Sequence, residues 1–216
     1  MKKQVAIIGI GRFGASVART LAKMGHEVLI IDNDQSNIQP LIDVVTHAVQ
    51  ADSKDEEVLK KLGIRNFDIV VVAMGEDTQA NILTTVLLKD LGCPYVIAKA
   101  QNHLHGKVLE KIGADKVVYP ERDMGIRVAQ NITHANILDY IELSDEHSIV
   151  ELNAPDKFLG KTLGKLNLRA KHGVSVMAIK RNDKIVVAPG AEEEIREGDY
   201  LIIIGDNKTL GKFNDE

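Results

Sequence analysis

The segment VAIIGIGRFG at residues 5–14 constrains the fold of this chain more than any other part of its sequence. An apolar, β-type run leads directly into the pattern Gly9-x-Gly11-x-x-Gly14. A strand that enters such a turn and continues as a helix is the opening unit of a Rossmann-type fold. In that unit Gly9 permits the tight turn, Gly11 lets the backbone approach a phosphate, and Gly14 allows the helix to pack against the sheet.

Asp32 completes the same fingerprint, because it ends the next apolar run eighteen residues after Gly14. A carboxylate at that point accepts hydrogen bonds from ribose hydroxyls. The free N–H groups and the dipole at the start of the helix favour a phosphate. The sequence therefore predicts an adenine-nucleotide site. ATP, ADP and NAD(H) all fit, since each carries an adenosine ribose and phosphates.

Apolar β-type runs alternate with helical patterns through the first 120 residues. This alternation predicts an α/β fold with a doubly wound parallel sheet, covered by helices on both faces and joined by right-handed crossovers. We predict strands at 5–8, 27–31, 44–49, 69–73, 95–98 and 116–119. Helices are expected to begin near Phe13, Asn37, Lys54, Thr78 and Leu104.

The pattern changes after Pro120. Apolar residues at helical spacing predict a connecting helix over 121–138, and from residue 140 onward the sequence is rich in short β-type runs. We therefore predict a nucleotide-binding domain at 1–122, a connecting helix and hinge at 123–139, and a smaller domain at 140–216. A unit of that size buries a modest core, so association through it is reasonable.

Small and polar residues follow the predicted strands at their carboxyl ends, where ligands bind in open α/β sheets. Arg12, beside the glycine turn, is suited to neutralise a phosphate, and it fits a solvated helix-start charge equally well. Together with the glycines and Asp32, the predicted nucleotide-binding residues are Arg12, Phe13, Asn33, Asp52, Ser53, Ala73, Met74, Gly75, Lys99, Gln101 and His105.

Glu121 follows Pro120 at the end of the sixth predicted strand and is the last residue of the predicted site. A carboxylate next to a polyphosphate is repelled unless a cation lies between them. A functional role for Glu121 therefore implies Mg²⁺ or another metal ion. The alternative is a helix-start charge paired with Arg122.

Composition excludes several classes of protein. A net charge of -4 and a pI near 6.0 argue against a nucleic-acid binder. Cys93 is the only cysteine, so an intramolecular disulfide is impossible and a reducing compartment is expected. The apolar runs are far below the roughly 18 residues of a membrane-spanning helix, so we expect a soluble, cytoplasmic protein.

Several motifs together resemble those of one family. They are VAIIGIGRFGASVA, HAVQADSKDE, IRNFDIVVVAMGED, IAKAQN and VLEKIGADKVVYPERDMG, followed by LNLRAKHG and VAPGAEEEIREGDYLIIIGD. In this order they resemble the cytosolic regulatory subunits of bacterial Ktr/Trk potassium uptake systems, which carry an RCK (regulator of potassium conductance) domain. The match is strongest to the Ktr subunit. The second unit resembles the TrkA C-terminal domain, a small α/β domain.

This resemblance implies a gating subunit rather than an enzyme. It implies a homo-octameric ring built from dimers, bound at the inner face of the cell membrane to a potassium-translocating subunit. ATP and ADP would compete for the crevice, with Arg12 at the terminal phosphates, Asp32 at the ribose and Glu121 at a cation. It also implies a cyclic di-AMP site in the second unit, which we place at Leu163, Arg169, His172, Ala188 and Pro189.

An NAD-dependent oxidoreductase is the alternative interpretation of the Rossmann fingerprint. Such an enzyme needs a proton donor or base that faces the nicotinamide. The second unit offers His147 and His172, but the sequence around them shows no recognisable catalytic arrangement. The motifs therefore favour the regulatory subunit.

Overall fold

The computed structural model describes residues 2–133, 137–144, 146–182 and 184–211. Within it the chain divides into two units, Met1–Asp123 and Met124–Glu216. Among the described residues, no helix combines the length and the apolar character needed to cross a membrane.

The first unit is built on a parallel sheet, as the alternating pattern predicts. Its strands are β1 (Gln4–Ile8), β2 (Glu27–Asp32), β3 (His47–Gln50), β4 (Ile69–Val72), β5 (Val96–Lys99) and β6 (Lys116–Val118). Its helices are α1 (Arg12–Lys23), α2 (Gln35–Ile38), α3 (Glu56–Lys61), α4 (Thr78–Asp90), α5 (His103–Lys111) and the start of α6 (Pro120–Thr133). The strand order is β3-β2-β1-β4-β5-β6, which reverses direction between β1 and β4.

Alternate residues of the central strands are buried on opposite faces of this sheet. On one face Ala6 and Ile8 pack with Leu59, Leu88 and Leu109 of α3, α4 and α5. On the other face Val5 and Ile7 pack with residues of α1 and α2. Helices therefore cover both faces, and the predicted doubly wound fold is confirmed.

Most element boundaries in the first unit match the sequence pattern, and the predicted helix starts lie within two residues of the observed ones. The predicted strand over 44–49 is wrong at its beginning. The amides of Val44 and Val45 donate to the carbonyl oxygen of Leu41, so these residues form a turn and the strand begins at His47. Local turn hydrogen bonds outweigh the β propensity of two valines here.

The second unit contains an antiparallel sheet of five strands among the described residues, with short helices packed on it. Its core is formed by sheet residues such as Leu152, Ile179 and Leu201 together with Phe158 and Leu168. This smaller α/β unit confirms the predicted fold class. The elements are β7 (Ile137–Glu142), β8 (His147–Asn153), α7 (Leu163–Leu166), α8 (Leu168–His172), β9 (Ser175–Arg181), β10 (Lys184–Val187), β11 (Asp199–Asp206) and α9 (Asn207–Gly211). The strand order of the sheet is β10-β9-β11-β8-β7.

The predicted connecting helix over 121–138 is too long. Helix α6 ends at Thr133, and the backbone from Ile137 pairs with β8 as strand β7, with Ile137 opposite Leu152 and Ile141 opposite Ile149. Strand pairing therefore outweighs the helical spacing at residues 137 and 138. Residues 134–136 of the predicted helix lie outside the described residues, and a hinge within 123–139 stays a prediction.

An ion-pair cluster fixes the loop between β10 and β11. Arg181 donates from Nε and Nη2 to the two carboxylate oxygens of Asp199 at 2.7 and 2.8 Å, and from Nη1 to Glu193 at 3.1 Å. Asp199 is 1% exposed and also accepts from the backbone N–H of Arg196. Burial alone would raise the pKa of Asp199, but the hydrogen bonds from Arg181 and Arg196 outweigh it and hold that pKa below its ordinary value.

We expect Asp199→Asn to lower the free energy of unfolding of the second unit by about 3 kcal/mol at neutral pH, because Arg181 loses its bidentate partner. Urea unfolding followed by circular dichroism measures this. A depressed carboxyl pKa stabilises the fold above the ordinary pKa and ceases to do so as the pH falls. The difference between wild type and variant should therefore shrink as the pH falls through the lowered pKa of Asp199.

Glu193→Gln is the control, because Glu193 meets the same guanidinium through a single bond and is more exposed than Asp199. Its cost should be below about 1 kcal/mol. Equal losses for the two variants would contradict the assignment of the cluster's stability to Asp199.

Candidate nucleotide-binding crevice

The carboxyl ends of the central strands enclose a crevice of about 690 Å³ in the first unit. It lies where the strand order reverses, the position at which open α/β sheets bind ligands. Most of the residues predicted from the sequence line it, whereas Gly14 and His105 do not. The predicted residues that line the crevice are Gly9, Gly11, Arg12, Phe13, Asp32, Asn33, Asp52, Ser53, Ala73, Met74, Gly75, Lys99, Gln101 and Glu121.

The three glycines of the turn have separate roles. Gly9 has a φ of +90°, and a Cβ there would lie 2.6 Å from Cγ of Met74. A Cβ on Gly14 would collide with the carbonyl oxygen of Gly9, which is why α1 can begin so close to β1 only with glycine. Gly11 is different, since a Cβ on it would meet no atom within 4 Å. Gly11 therefore leaves room for a ligand instead of relieving an internal contact.

Asp32 is buried at the end of β2 and holds the glycine turn in place. Its Oδ2 accepts from the N–H of Ile10 at 2.6 Å, and its Oδ1 accepts from the N–H of Asp34 at 2.9 Å and from Asn37 at 3.3 Å. A carboxylate offers about four acceptor positions. Asp32 thus orders the turn and retains acceptor capacity for a ribose hydroxyl at the crevice.

Arg12 is the first residue of α1, and it is exposed at the crevice. The first turn of α1 contains no acidic residue, so the positive end of the helix dipole is not neutralised locally. A guanidinium next to free helix-start N–H groups makes this end of the crevice suited to phosphate.

Lys99 and Glu121 form an ion pair in the lining of the crevice. Nζ of Lys99 is 2.6 Å from Oε1 of Glu121, and the lysine side chain is 10% exposed against 69% for the glutamate. The hydrogen bond from Lys99 lowers the pKa of Glu121, and the charge of Arg12 adds to this. Nζ also lies 5.8 Å from the centroid of the Phe13 ring. A buried cation is thereby joined to the first turn of α6.

The alternative pairing of Glu121 with Arg122 is wrong. Arg122 donates from Nε to Asp123 at 2.9 Å, and its guanidinium lies 3.9 Å from the centroid of the Tyr119 ring. Among the described residues no group of three or more His, Cys, Asp or Glu side chains could hold a metal ion, and Oε1 of Glu121 is already bonded to Lys99. A cation between Glu121 and the phosphates of a nucleotide stays a prediction, because it would need only one carboxylate from the protein.

His105 does not line the crevice but is hydrogen-bonded to Gln101, which does. It is 4% exposed, and burial lowers the pKa of its ring. Nδ1 accepts from the backbone N–H of Gln101 at 3.3 Å, and Gln101 in turn donates from its side chain to the carbonyl oxygen of Gly75. His105 therefore contacts a lining residue instead of the crevice itself.

Sequence reasoning missed two sets of residues. The first set contains the polar lining residues that were not predicted, and each member follows a predicted strand closely enough to have been found by that rule. It consists of Asn37, Lys54, Glu76, Asp77 and Asn102. Four apolar lining residues were not predicted either, namely Ile8, Ile31, Ala51 and Ala80. The second set lies behind the crevice on α4, where Asn81 and Thr84 are fully buried. Its signal is a polar pair at i and i+3 on the buried face of a helix.

The residues predicted for cyclic di-AMP lie in the second unit. Leu163 begins α7, and Arg169 and His172 lie on exposed positions of α8. Ala188 directly follows β10 with a φ of +50°, and Pro189 comes next. The N–H of Leu163 donates to the carbonyl oxygen of Glu193, which joins α7 to the loop that begins with Ala188.

The fold and the crevice define the class of this protein: a Rossmann domain with a nucleotide-type site, followed by a small antiparallel domain. Comparison with known families narrows the class. Residues 5–120 match the TrkA-N domain and residues 147–216 match the TrkA-C domain. The chain therefore belongs to the TrkA-type family of potassium uptake proteins, as its motifs predict.

Two relatives from Bacillus subtilis (strain 168) show which members of this family the chain is similar to. The chain is 50% identical over 213 residues to Ktr system potassium uptake protein C and 49% identical over 214 residues to Ktr system potassium uptake protein A. Each alignment covers 99% of this chain and 96% of the relative. The relatives are potassium uptake proteins, which confirms the prediction of a non-enzymatic family.

Solved structures of GsuK share the fold. The GsuK RCK domain has a TM-score of 0.67 at 20% identity and covers 100% of this chain and 47% of that chain. The GsuK channel bound to NAD has a TM-score of 0.66 at 20% identity and covers 97% of this chain and 38% of that chain. This chain thus spans less than half of each solved chain, and the likeness is one of fold.

Gly11→Ala and Gly14→Ala form a matched pair of variants. The first tests whether Gly11 leaves room for a ligand, and the second tests whether Gly14 is needed for packing of α1 against the glycine turn. Gly11→Ala should leave the thermal unfolding temperature near the wild-type value, because its Cβ enters open space, and should weaken ATP binding about tenfold or more. Gly14→Ala should lower the unfolding temperature, because the carbonyl of Gly9 cannot move aside. Differential scanning fluorimetry and calorimetric titration measure the two effects. The reverse result would contradict the assigned roles.

Proposed function

We propose that this chain is the nucleotide-responsive regulatory subunit of a potassium uptake system. In this role it binds ATP and ADP in the crevice of the first unit and controls a membrane subunit that translocates potassium. The observation that carries the proposal is that a crevice suited to phosphate is connected to helix α6. The connection is the ion pair between Lys99, which lines the crevice, and Glu121 in the first turn of α6.

The distribution of charge in the crevice supports a nucleotide whose terminal phosphates lie at Arg12. The helix start of α1 and the guanidinium of Arg12 supply positive potential at one end of the crevice, and Lys99 supplies a cation that is mostly buried. Asp32 is positioned for the ribose, and Asp52 and Ser53 extend the lining toward the adenine. A third phosphate adds negative charge at Arg12, so the site favours ATP there over NAD(H).

Helix α6 supports transmission of the signal. Glu121 lies in its first turn, and from Met124 onward the helix belongs to the second unit. A phosphate that approaches Lys99 repels the Glu121 carboxylate and competes with it for the same cation. Replacing one nucleotide by another therefore changes the force on the start of α6.

A ligand shifts a two-state protein only by its difference in affinity for the two states. A shift from mostly one state to mostly the other requires several kcal/mol, more than one ion pair at the crevice supplies. A ring of identical subunits adds the small preference of each site. We therefore propose that the chain acts as a homo-octameric ring built from dimers, held at the inner face of the membrane through its partner.

The second unit offers a place for a second regulatory ligand. Arg169 is exposed on α8, where a guanidinium suits the phosphate of a cyclic dinucleotide. Leu163, with Ala188 and Pro189 on the adjoining loop, would receive an adenine. We propose cyclic di-AMP as this ligand, bound between two copies of the chain.

Arg12→Gln tests the phosphate end of the crevice. We expect about tenfold weaker binding of ATP and a smaller loss for ADP, because ADP lacks the phosphate that needs the guanidinium most. Arg19→Gln is the matched control, since Arg19 is exposed on the same helix and donates only weakly to the carbonyl of Pro40 at 3.4 Å. Equal losses for both nucleotides would contradict the placement of Arg12 at the terminal phosphate.

The regulatory role is tested by comparing the ATP-bound and ADP-bound protein in solution. Small-angle scattering should give two different profiles at the same oligomeric mass, and potassium uptake by cells that carry the chain with its membrane partner should differ with the Arg12→Gln variant. Indistinguishable profiles together with unchanged uptake would contradict the proposal.

A further inference from the structure

Helix α4 has an unusual inner face. Asn81 and Thr84 are both 0% exposed, whereas Leu88, one turn further along the same face, is the apolar residue expected there. Buried polar groups cost stability unless they are hydrogen-bonded. The polar part of the face is the part nearest the start of α4, where Asp77 and Ala80 line the crevice.

Asn81 joins the ends of two strands. Its Nδ2 donates to the carbonyl oxygen of Met74 at 2.6 Å and to that of Lys99 at 3.0 Å. Pairing between β4 and β5 ends at Val72 and Ala98, so the side-chain amide of Asn81 connects the two strands just beyond their last paired residues. Met74 and Lys99 both line the crevice.

Thr84 is hydrogen-bonded to the loop that follows a third strand. Its Oγ1 lies 2.9 Å from Oγ of Ser53 and also donates to the carbonyl oxygen of Ser53 at 3.4 Å. Ser53 follows β3, is 6% exposed and lines the crevice. One helix thus connects the segments that follow β3 and β4 with the last residue of β5.

We infer that Asn81 and Thr84 are positioning residues of the nucleotide site, although neither lines it. Asn81 fixes the backbone that carries Gly75 and the Lys99 side chain, and Thr84 fixes Ser53. A binding site keeps its geometry when its lining residues are held by such supporting hydrogen bonds. This inference rests on the proposed nucleotide binding in the crevice.

Thr85 provides a matched control. It is as buried as Asn81 and Thr84, but its hydroxyl donates to the carbonyl of Asn81 within α4 itself and reaches no strand end. Thr85→Val therefore removes a buried hydroxyl of the same helix without releasing a lining segment. Any effect of general destabilisation should appear in this variant as well.

The experiment measures ATP affinity by calorimetry and thermal unfolding by fluorimetry for the full chain and three variants. We expect Asn81→Ala to weaken ATP binding about tenfold and Thr84→Val about threefold, while Thr85→Val stays within about twofold of wild type. All three variants should unfold at lower temperature than wild type. Hydrogen exchange of the amides at 74–76 and 99–101 should rise in Asn81→Ala and not in Thr85→Val.

Folded Asn81→Ala and Thr84→Val proteins that bind ATP as tightly as wild type would overturn the inference, and so would an equal loss in Thr85→Val. If Asn81→Ala does not fold, Thr84→Val decides, because it removes a single hydroxyl. A wild-type chain that binds no ATP is a different outcome, in which the proposed function itself fails.

Discussion

The carbonyl oxygen of Gly9 and the backbone of Gly14 lie so close that no side chain fits between them, and this contact sets the start of α1. This contact thereby positions the positive end of α1, together with Gly11 and the first helical residue Arg12. Asp32 then fixes the turn through a 2.6 Å bond to the N–H of Ile10. A single close packing contact and one buried carboxylate thereby organise the phosphate end of the crevice.

A second part of the crevice lining is organised by charge. Lys99 is nearly buried and has Glu121 as its carboxylate partner, and Glu121 opens a helix that continues into the second unit. Exposed ion pairs contribute little to stability, but a pair in which one member is mostly buried responds strongly to a new charge nearby. The pair is therefore better suited to sensing a phosphate than to holding the fold together.

Much of this arrangement is predictable from the sequence, for identifiable reasons. The glycine fingerprint and Asp32 have fixed spacings, and the carboxyl ends of parallel strands meet at one edge, so lining residues such as Ser53 and Lys99 are found without a structure. Asn81 and Thr84 are not, because only the fold shows that the buried face of α4 meets strand ends. The sequence places Glu121 in the site and offers Arg122 as its alternative partner, but only the fold shows that Glu121 pairs with Lys99, 22 residues away.

Calorimetric titration of the purified wild-type chain measures whether the crevice of the first unit binds ATP and ADP. We expect saturable binding of ATP that ADP displaces, with NADH bound more weakly than either. Absence of saturable ATP binding, or NADH bound more tightly than both ATP and ADP, would show that the crevice is not an ATP/ADP site.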